Sequence, residues 1–209
     1  MNIILCFLAT LGLSQAAVLK FEPNEQQAMK WPPSFCNGLD CPKFQVLNST
    51  EKYEARKYDV SKWVTTELSG VDYSSATYTM FMKLFNYISG NNRRSQKIAM
   101  TVPVISRIIP GQGPACESNF TMSFYLAIDN PPQPNATDVY LSELPQDLVA
   151  YVKGYGGWQT QSKFLKYASE LAQELPTSFS YHKDFYYVAG YDSPFKLFNR
   201  HNEVWFIKK

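Results

Sequence analysis

The chain is short of histidine, with His182 and His201 its only two, and it has no excess of either charge, since 20 lysines and arginines face 18 aspartates and glutamates. Near balance leaves no basic stripe to follow a phosphate backbone, so nucleic acid is not an expected partner. Common catalytic signatures are also missing: there is no Gly-x-Ser-x-Gly elbow, no His-Glu-x-x-His, no Walker loop and no Gly-x-Gly-x-x-Gly after a strand. Gly154-Tyr155-Gly156-Gly157 precedes a helical stretch with the spacing of a connector. Glu67 and Glu203 are carboxylates that nothing in the sequence pairs. These absences lead us to expect a binding protein, not an enzyme. Beyond the first residues, no apolar run is long enough to span a bilayer.

The opening run Ile3 to Leu13 is apolar but too short for a span, and small residues Ser14 and Ala16 follow it. It reads as a secretory signal peptide, residues 1–16, although no Lys or Arg precedes the apolar run. The mature protein is therefore expected to be secreted and extracellular. Three sequons suit that route, at Asn48, Asn119 and Asn135, and Asn135 beside Pro131-Pro132-Gln133-Pro134 lies in the most obvious loop.

Cleavage removes Cys6 and leaves Cys36, Cys41 and Cys116, an odd number for an oxidising compartment. Cys36-Asn37-Gly38-Leu39-Asp40-Cys41 contains the residues that turn a chain back on itself, so a local Cys36–Cys41 bridge is expected. The alternative is that Cys116 pairs with one of these two, or with another molecule. Three cysteines with no histidine at ligand spacing make a poor zinc site.

What the chain does have is aromatic surface: 14 Tyr, 14 Phe and 4 Trp. Residues 17–50 read as an irregular arm. From residue 51 onward the same order of elements occurs twice. In the first half, paired strands at 53–58 and 62–68 lead to a helix capped by Asp72 and ended by Gly90, then to strands at 98–107 and 119–128. In the second, strands at 138–143 and 148–153 lead to a helix over 159–175, then to strands at 185–191 and 203–208. The expected class is α+β, a distorted antiparallel eight-stranded barrel or curved sheet with two helices, built from two strand-strand-helix-strand-strand repeats.

The two helices differ. Ala76, Met80, Leu84 and Ile88 give the first a core stripe, and Tyr78, Phe81, Met82 and Phe85 give it a second. The second helix has one stripe, Leu165, Ala168, Leu171, Ala172 and Leu175. One face of the first helix packs on the sheet; the other is open to bind a ligand or to be covered by a loop or the N-terminal arm.

Two further stretches read as strand, turn and strand: Lys97-Ile98-Ala99-Met100-Thr101-Val102-Pro103-Val104, and Gly190-Tyr191-Asp192-Ser193-Pro194 running on to Asn199-Arg200-His201-Asn202-Glu203-Val204-Trp205. In this order and separation they resemble the SOUL family of haem-binding proteins, from about Tyr53 to the C-terminus. The resemblance implies the duplicated barrel, and haem or another porphyrin as ligand, placed against the first helix and the loop before the last strand. Those regions correspond to Tyr78, Phe81, Met82 and Phe85 and to Phe195 and Lys196, with Lys83 and Lys196 as the rim cations. Some members have a histidine ligand where this chain has Lys57, whose ammonium is a poor iron ligand. Other members bind through an apolar pocket without an axial histidine, which is the mode expected here. Some are also linked to cell-death factors through a helix matching Phe164 to Leu175. A carrier of another amphiphile, lipid or bilin, and a protein interaction module remain the alternatives.

Overall fold

A computed structural model describes residues 31–111 and 117–209. Residues 1–16, expected to be a signal peptide, with Cys6, Cys116 and the first part of the expected N-terminal arm, lie outside the described residues. Nine strands and two helices follow in order: β1 (Phe44–Ser49), β2 (Glu54–Tyr58), β3 (Ser61–Gly70), α1 (Tyr73–Ile88), β4 (Val104–Ile109), β5 (Ser118–Leu126), β6 (Val139–Leu144), β7 (Leu148–Gly156), α2 (Gln161–Glu174), β8 (Tyr186–Gly190) and β9 (His201–Ile207). The ninth strand relative to the eight expected is β1, which the arm contributes to the sheet edge against β2. Every pairing is antiparallel.

The strand order is β1-β2-β7-β9-β8-β4-β5-β3-β6. With β1 set aside, exchanging each first-half strand for its second-half counterpart turns this order into its own reverse. The duplication expected from sequence is therefore present as a pseudo-two-fold, with β4 and β8 side by side at its centre. The expected pairing of the first two strands does not occur: β2 pairs with β7 and β3 with β6, each across the two halves. Asp59 and Val60, which link β2 to β3, are not among the residues with positive φ, which a two-residue hairpin turn requires, so the chain is not reversed there.

Both helices pack on one face of the sheet, α1 over β3 and β5 and α2 over β7 and β9. Asp72 caps α1 by accepting from the Ser75 amide at 2.8 Å, and beyond Ile88 the chain leaves the helix through Gly90 at φ 117°. Ala76, Met80, Leu84 and Ile88 are buried as their spacing predicts. In α2 the inward stripe is shifted: Phe164, Leu171 and Leu175 are buried and Tyr167 and Ala168 pack against them, whereas Leu165 and Ala172 face outward. Phe164 sets this phase by inserting between Tyr73 of α1 and Tyr186 of β8, with ring centroids 4.9 and 6.3 Å away. The expected strand at 98–107 begins only at Val104, because residues 97–103 run as an extended connection outside the ladder.

The sulfurs of Cys36 and Cys41 lie at disulfide distance with Cα atoms 6.3 Å apart. The buried face of α1 should dominate stability. Leu84→Ala, at a fully buried position, is expected to cost about 2–5 kcal/mol in urea unfolding, whereas Leu165→Ala should stay within about 1 kcal/mol.

Candidate functional site

On α1 the residues beside the core stripe form a platform. Phe81 packs on Phe124 of β5 at a centroid distance of 5.1 Å, and Phe85 lies nearly parallel to Phe81 at 5.9 Å and 13°. Phe81 is thus held from beneath, while Phe85 is 41% exposed and Tyr78 is 70% exposed. Met82 is half-buried further round the helix. Phe85 also lines a cleft of about 370 Å³ together with Ile88, Ser89, Lys97, Ile98 and Met100.

The far wall of this cleft is fixed by the turn that follows α1. Buried Asn92 donates to the carbonyls of Tyr87 and Gln96 and accepts from the amides of Arg94 and Gln96. The Ile98 amide donates to the Ile88 carbonyl at 2.8 Å, which pins residues 97 and 98 to the end of the helix. Lys97 is exposed and makes no ion pair among the described residues.

The two cations expected at the rim, Lys83 and Lys196, are occupied. Lys83 leaves α1 about 160° away from Phe85 at 100° per residue, and it pairs with Asp138 before β6 at 2.6 Å. That pairing holds the Asp138 carboxyl below its ordinary range. Lys196, in the β8–β9 turn, pairs with Asp192 at 2.6 Å and donates to Asn37 at 3.0 Å. Phe195 beside it is 90% exposed. The structure therefore stacks Phe81 on Phe85, which alone of the two lines the cleft, sends Lys83 to another side of the helix, and ties Lys196 to the Cys36–Cys41 turn. Sequence reasoning missed Asn92, Lys97 and Met100; the Gly90-Asn91-Asn92 turn chemistry was the available signal. Lys57 of β2 pairs with Asp147 in the β6–β7 turn.

A second polar centre sits on the sheet face away from the helices. Val204 and Phe206 belong to the helix-side core, so alternation sends His201, Glu203 and Trp205 to the opposite face. Glu203 is fully buried and accepts from Arg56 at 2.8 Å, Tyr191 at 2.8 Å and Trp205 at 2.7 Å, with His201 Nε2 also 2.8 Å away. Its β-sheet neighbours are Gly154 and Ala189, small enough to admit these groups. A Cβ on Gly154 would stand 3.3 Å from the His201 ring. Phe35, beside the disulfide, stacks on His201 at 4.5 Å, and the Arg56 guanidinium lies over Phe35 and Phe44. Burial alone would raise the Glu203 pKa, but Arg56 and the surrounding donors outweigh it and hold it near 2. Glu67, the other carboxylate without a sequence partner, accepts from the Tyr140 hydroxyl.

Each histidine is thus engaged away from the platform, His201 at Glu203 and His182 beside Asp184 and Phe185. The described residues contain no group of three or more His, Cys, Asp or Glu able to hold a metal ion. A cleft at the N-terminal ends of the two helices, lined by Tyr73, Phe164 and Tyr186, is about 130 Å³, small for any but the smallest ligand.

The chain is thus an α+β protein with a curled, internally duplicated antiparallel sheet and an apolar platform on α1. Residues 39–207 match the family described as SOUL heme-binding protein. The chain belongs to that family, and the match begins ahead of the expected Tyr53, taking in Cys41 and β1. It is 39% identical over 164 residues to heme-binding protein 2 of Homo sapiens, covering 75% of this chain and 78% of that protein. To heme-binding protein 2 of Mus musculus it is 37% identical over 195 residues, covering 90% of each. Among solved structures it shares its fold with the EcmrR C-terminal domain, with a TM-score of 0.53 at 8% identity over 75% of this chain and 98% of that one.

Glu203 gives a pH test. Its ordinary value is 4.5 and its folded value is about 2, so the stability it contributes is complete above about pH 4.5 and is lost as pH falls toward 2. Glu203→Gln should cost about 3–5 kcal/mol at pH 7 by leaving Arg56 short of its main counter-ion. In urea unfolding at pH 7 and pH 3, the variant should show less acid-dependent loss than the unmodified protein.

Proposed function

We propose that this protein is a secreted carrier of haem or a related porphyrin, which it binds against the Phe81–Phe85 platform. The observation that carries the reading is the parallel ring pair, backed by Phe124 and half open at the rim of a cleft. The names of its relatives, heme-binding protein 2, supply the ligand class. The residues present fit such a group as a macrocycle. Phe85, Ile98 and Met100 offer apolar contact, and Lys97 offers an unpaired ammonium to a propionate. They do not offer the iron a histidine, because both imidazoles are engaged elsewhere. When bound, the group brings its own iron chemistry, and the chain's part is to stack, to neutralise the carboxylate edge and to leave the other face open.

Tyr78 and Met82 extend the platform along α1, and the β8–β9 turn supplies Phe195 and Lys196 as a second wall. Lys196 then exchanges Asp192 for a propionate, and Lys83 would have to leave Asp138 to take part. We assign the larger electrostatic share to Lys97, since an unpaired cation gives up no existing partner. The exposed side chains of Asn48, Asn119 and Asn135 are consistent with glycosylation on a secretory route.

Hemin titration followed at the Soret band should show saturable binding by the full chain. Phe85→Asp, at an exposed position, should weaken binding at least tenfold without loss of fold, and Phe81→Ala with Phe85→Asp should abolish it. An unchanged curve rejects the site. Lys97→Ala should weaken hemin binding more than Lys83→Ala, and the difference should vanish with a porphyrin dimethyl ester. Iron-free protoporphyrin should bind about as tightly as hemin, and preference for a bilin or fatty acid over both would transfer the site to another amphiphile.

A further inference from the structure

The β8–β9 turn exposes more apolar surface than a ligand wall needs. Phe195, Leu197 and Phe198 are 90%, 64% and 79% exposed, and Trp158 in the neighbouring β7–α2 turn is 46% exposed. A floppy loop would tuck such groups away, but this one is braced from inside. The Arg200 guanidinium donates to the carbonyls of Ser193, Lys196 and Asp192 and lies 4.2 Å from the Trp158 ring. Asp192 accepts from Lys196 and from the His201 amide, and Asn37 of the disulfide turn donates to the Tyr191 carbonyl and to Asp192. Asn199, at φ 51°, completes the bend. The backbone is held as a ring around one cation while three large apolar side chains are turned out of it.

Cations outnumber carboxylates around this apex. Residues 156–163 and 192–200 contain Lys163, Lys196 and Arg200 and a single carboxylate, Asp192. The Asp192 side chain has no exposed surface and is paired with Lys196. The disulfide turn alongside adds one carboxylate, Asp40, whose charge acts on Tyr125 of β5. Apolar side chains on a braced bend, an indole at half depth and three cations against the one exposed carboxylate, Asp40, are complementary to an anionic lipid surface. Aromatic rings favour the interfacial layer, and lysine and arginine stems can lie along it with their heads at the phosphates.

From this we infer that the β8–β9 turn, with Leu197 and Phe198 at its tip and Trp158 at its rim, is a docking site for an anionic phospholipid bilayer, entered by side chains and not by a span. The inference goes beyond the porphyrin reading and does not need it, because Leu197, Phe198 and Trp158, which carry it, have no part in the Phe81–Phe85 platform. Together they describe a carrier that meets an amphiphilic ligand where such ligands partition.

The full chain should co-sediment with phosphatidylcholine vesicles containing phosphatidylserine, less with phosphatidylcholine alone, and less again as salt is raised. Trp158 emission, taken as the difference from Trp158→Phe, should shift to the blue on binding. Leu197→Ser with Phe198→Ser should reduce vesicle binding at least tenfold while leaving the melting temperature in place, since both side chains are exposed. Phe85→Asp should lose hemin and keep the vesicles, which separates failure of this inference from failure of the porphyrin site. Equal binding by the double variant, or no binding by the parent chain, overturns the inference. So does light scattering that shows a dimer dissolved by the double variant, which would make the apex an interface with a second copy.

Discussion

A carboxylate cut off from water has to be neutralised where it stands, and Glu203 is neutralised by groups from two strands and the turn after β8. Arg56 comes from β2, His201 and Trp205 from β9 itself, and Tyr191 from that turn. Arg56 is in turn held by Glu54 and roofed by the rings of Phe35 and Phe44. One ionised oxygen pair therefore fixes the register of the central strands, the position of β2 and the seat of the disulfide turn. Removing either charge would strand the other in a medium that solvates it poorly, so the pair acts as a constraint on conformation more than as a source of stability. The loop that carries Lys196 begins one residue past Tyr191, and its placement depends on this centre.

The helix side of the sheet works by different physics. There the core is continuous apolar packing, and the two repeats supply one helix each. Duplicate elements need not carry duplicate surfaces. The second helix spends its large side chain, Phe164, inward against Tyr73 and Tyr186. On α1 the core is filled by Met80 and Leu84, which leaves Phe81 and Phe85 to stand beside it. The asymmetry between helices, and not the shared fold, is what creates a platform on one side alone.

Element order and helix caps were legible in the residues because they rest on local rules: Asp72 before a helical run, Gly90 after it, alternation through Phe120, Met122 and Phe124. The duplication was legible for the same reason. Strand partners were not, because β2 and β3 each pair across the halves and no local pattern encodes a partner far away in the chain. The aromatic stripe of α1 could be read from spacing, whereas Lys97 could not, since its place depends on the Asn92 turn folding back on the helix end. Glu203 stood inside a motif recognised as a scaffold signature, and its four partners explain that character. Nothing near it in sequence announced Arg56.

The pairing of the halves has a consequence for how the molecule is made. Strand β9 lies between β7 and β8 near the middle of the sheet, yet it is the last of the nine to leave the ribosome. Until it arrives, β7 and β8 have open edges and Arg56 has no counter-ion from Glu203. Before β9 is inserted, a nascent chain therefore presents the inner edges of β7 and β8 as templates for pairing with other chains, a hazard that a fold closed from its ends does not share.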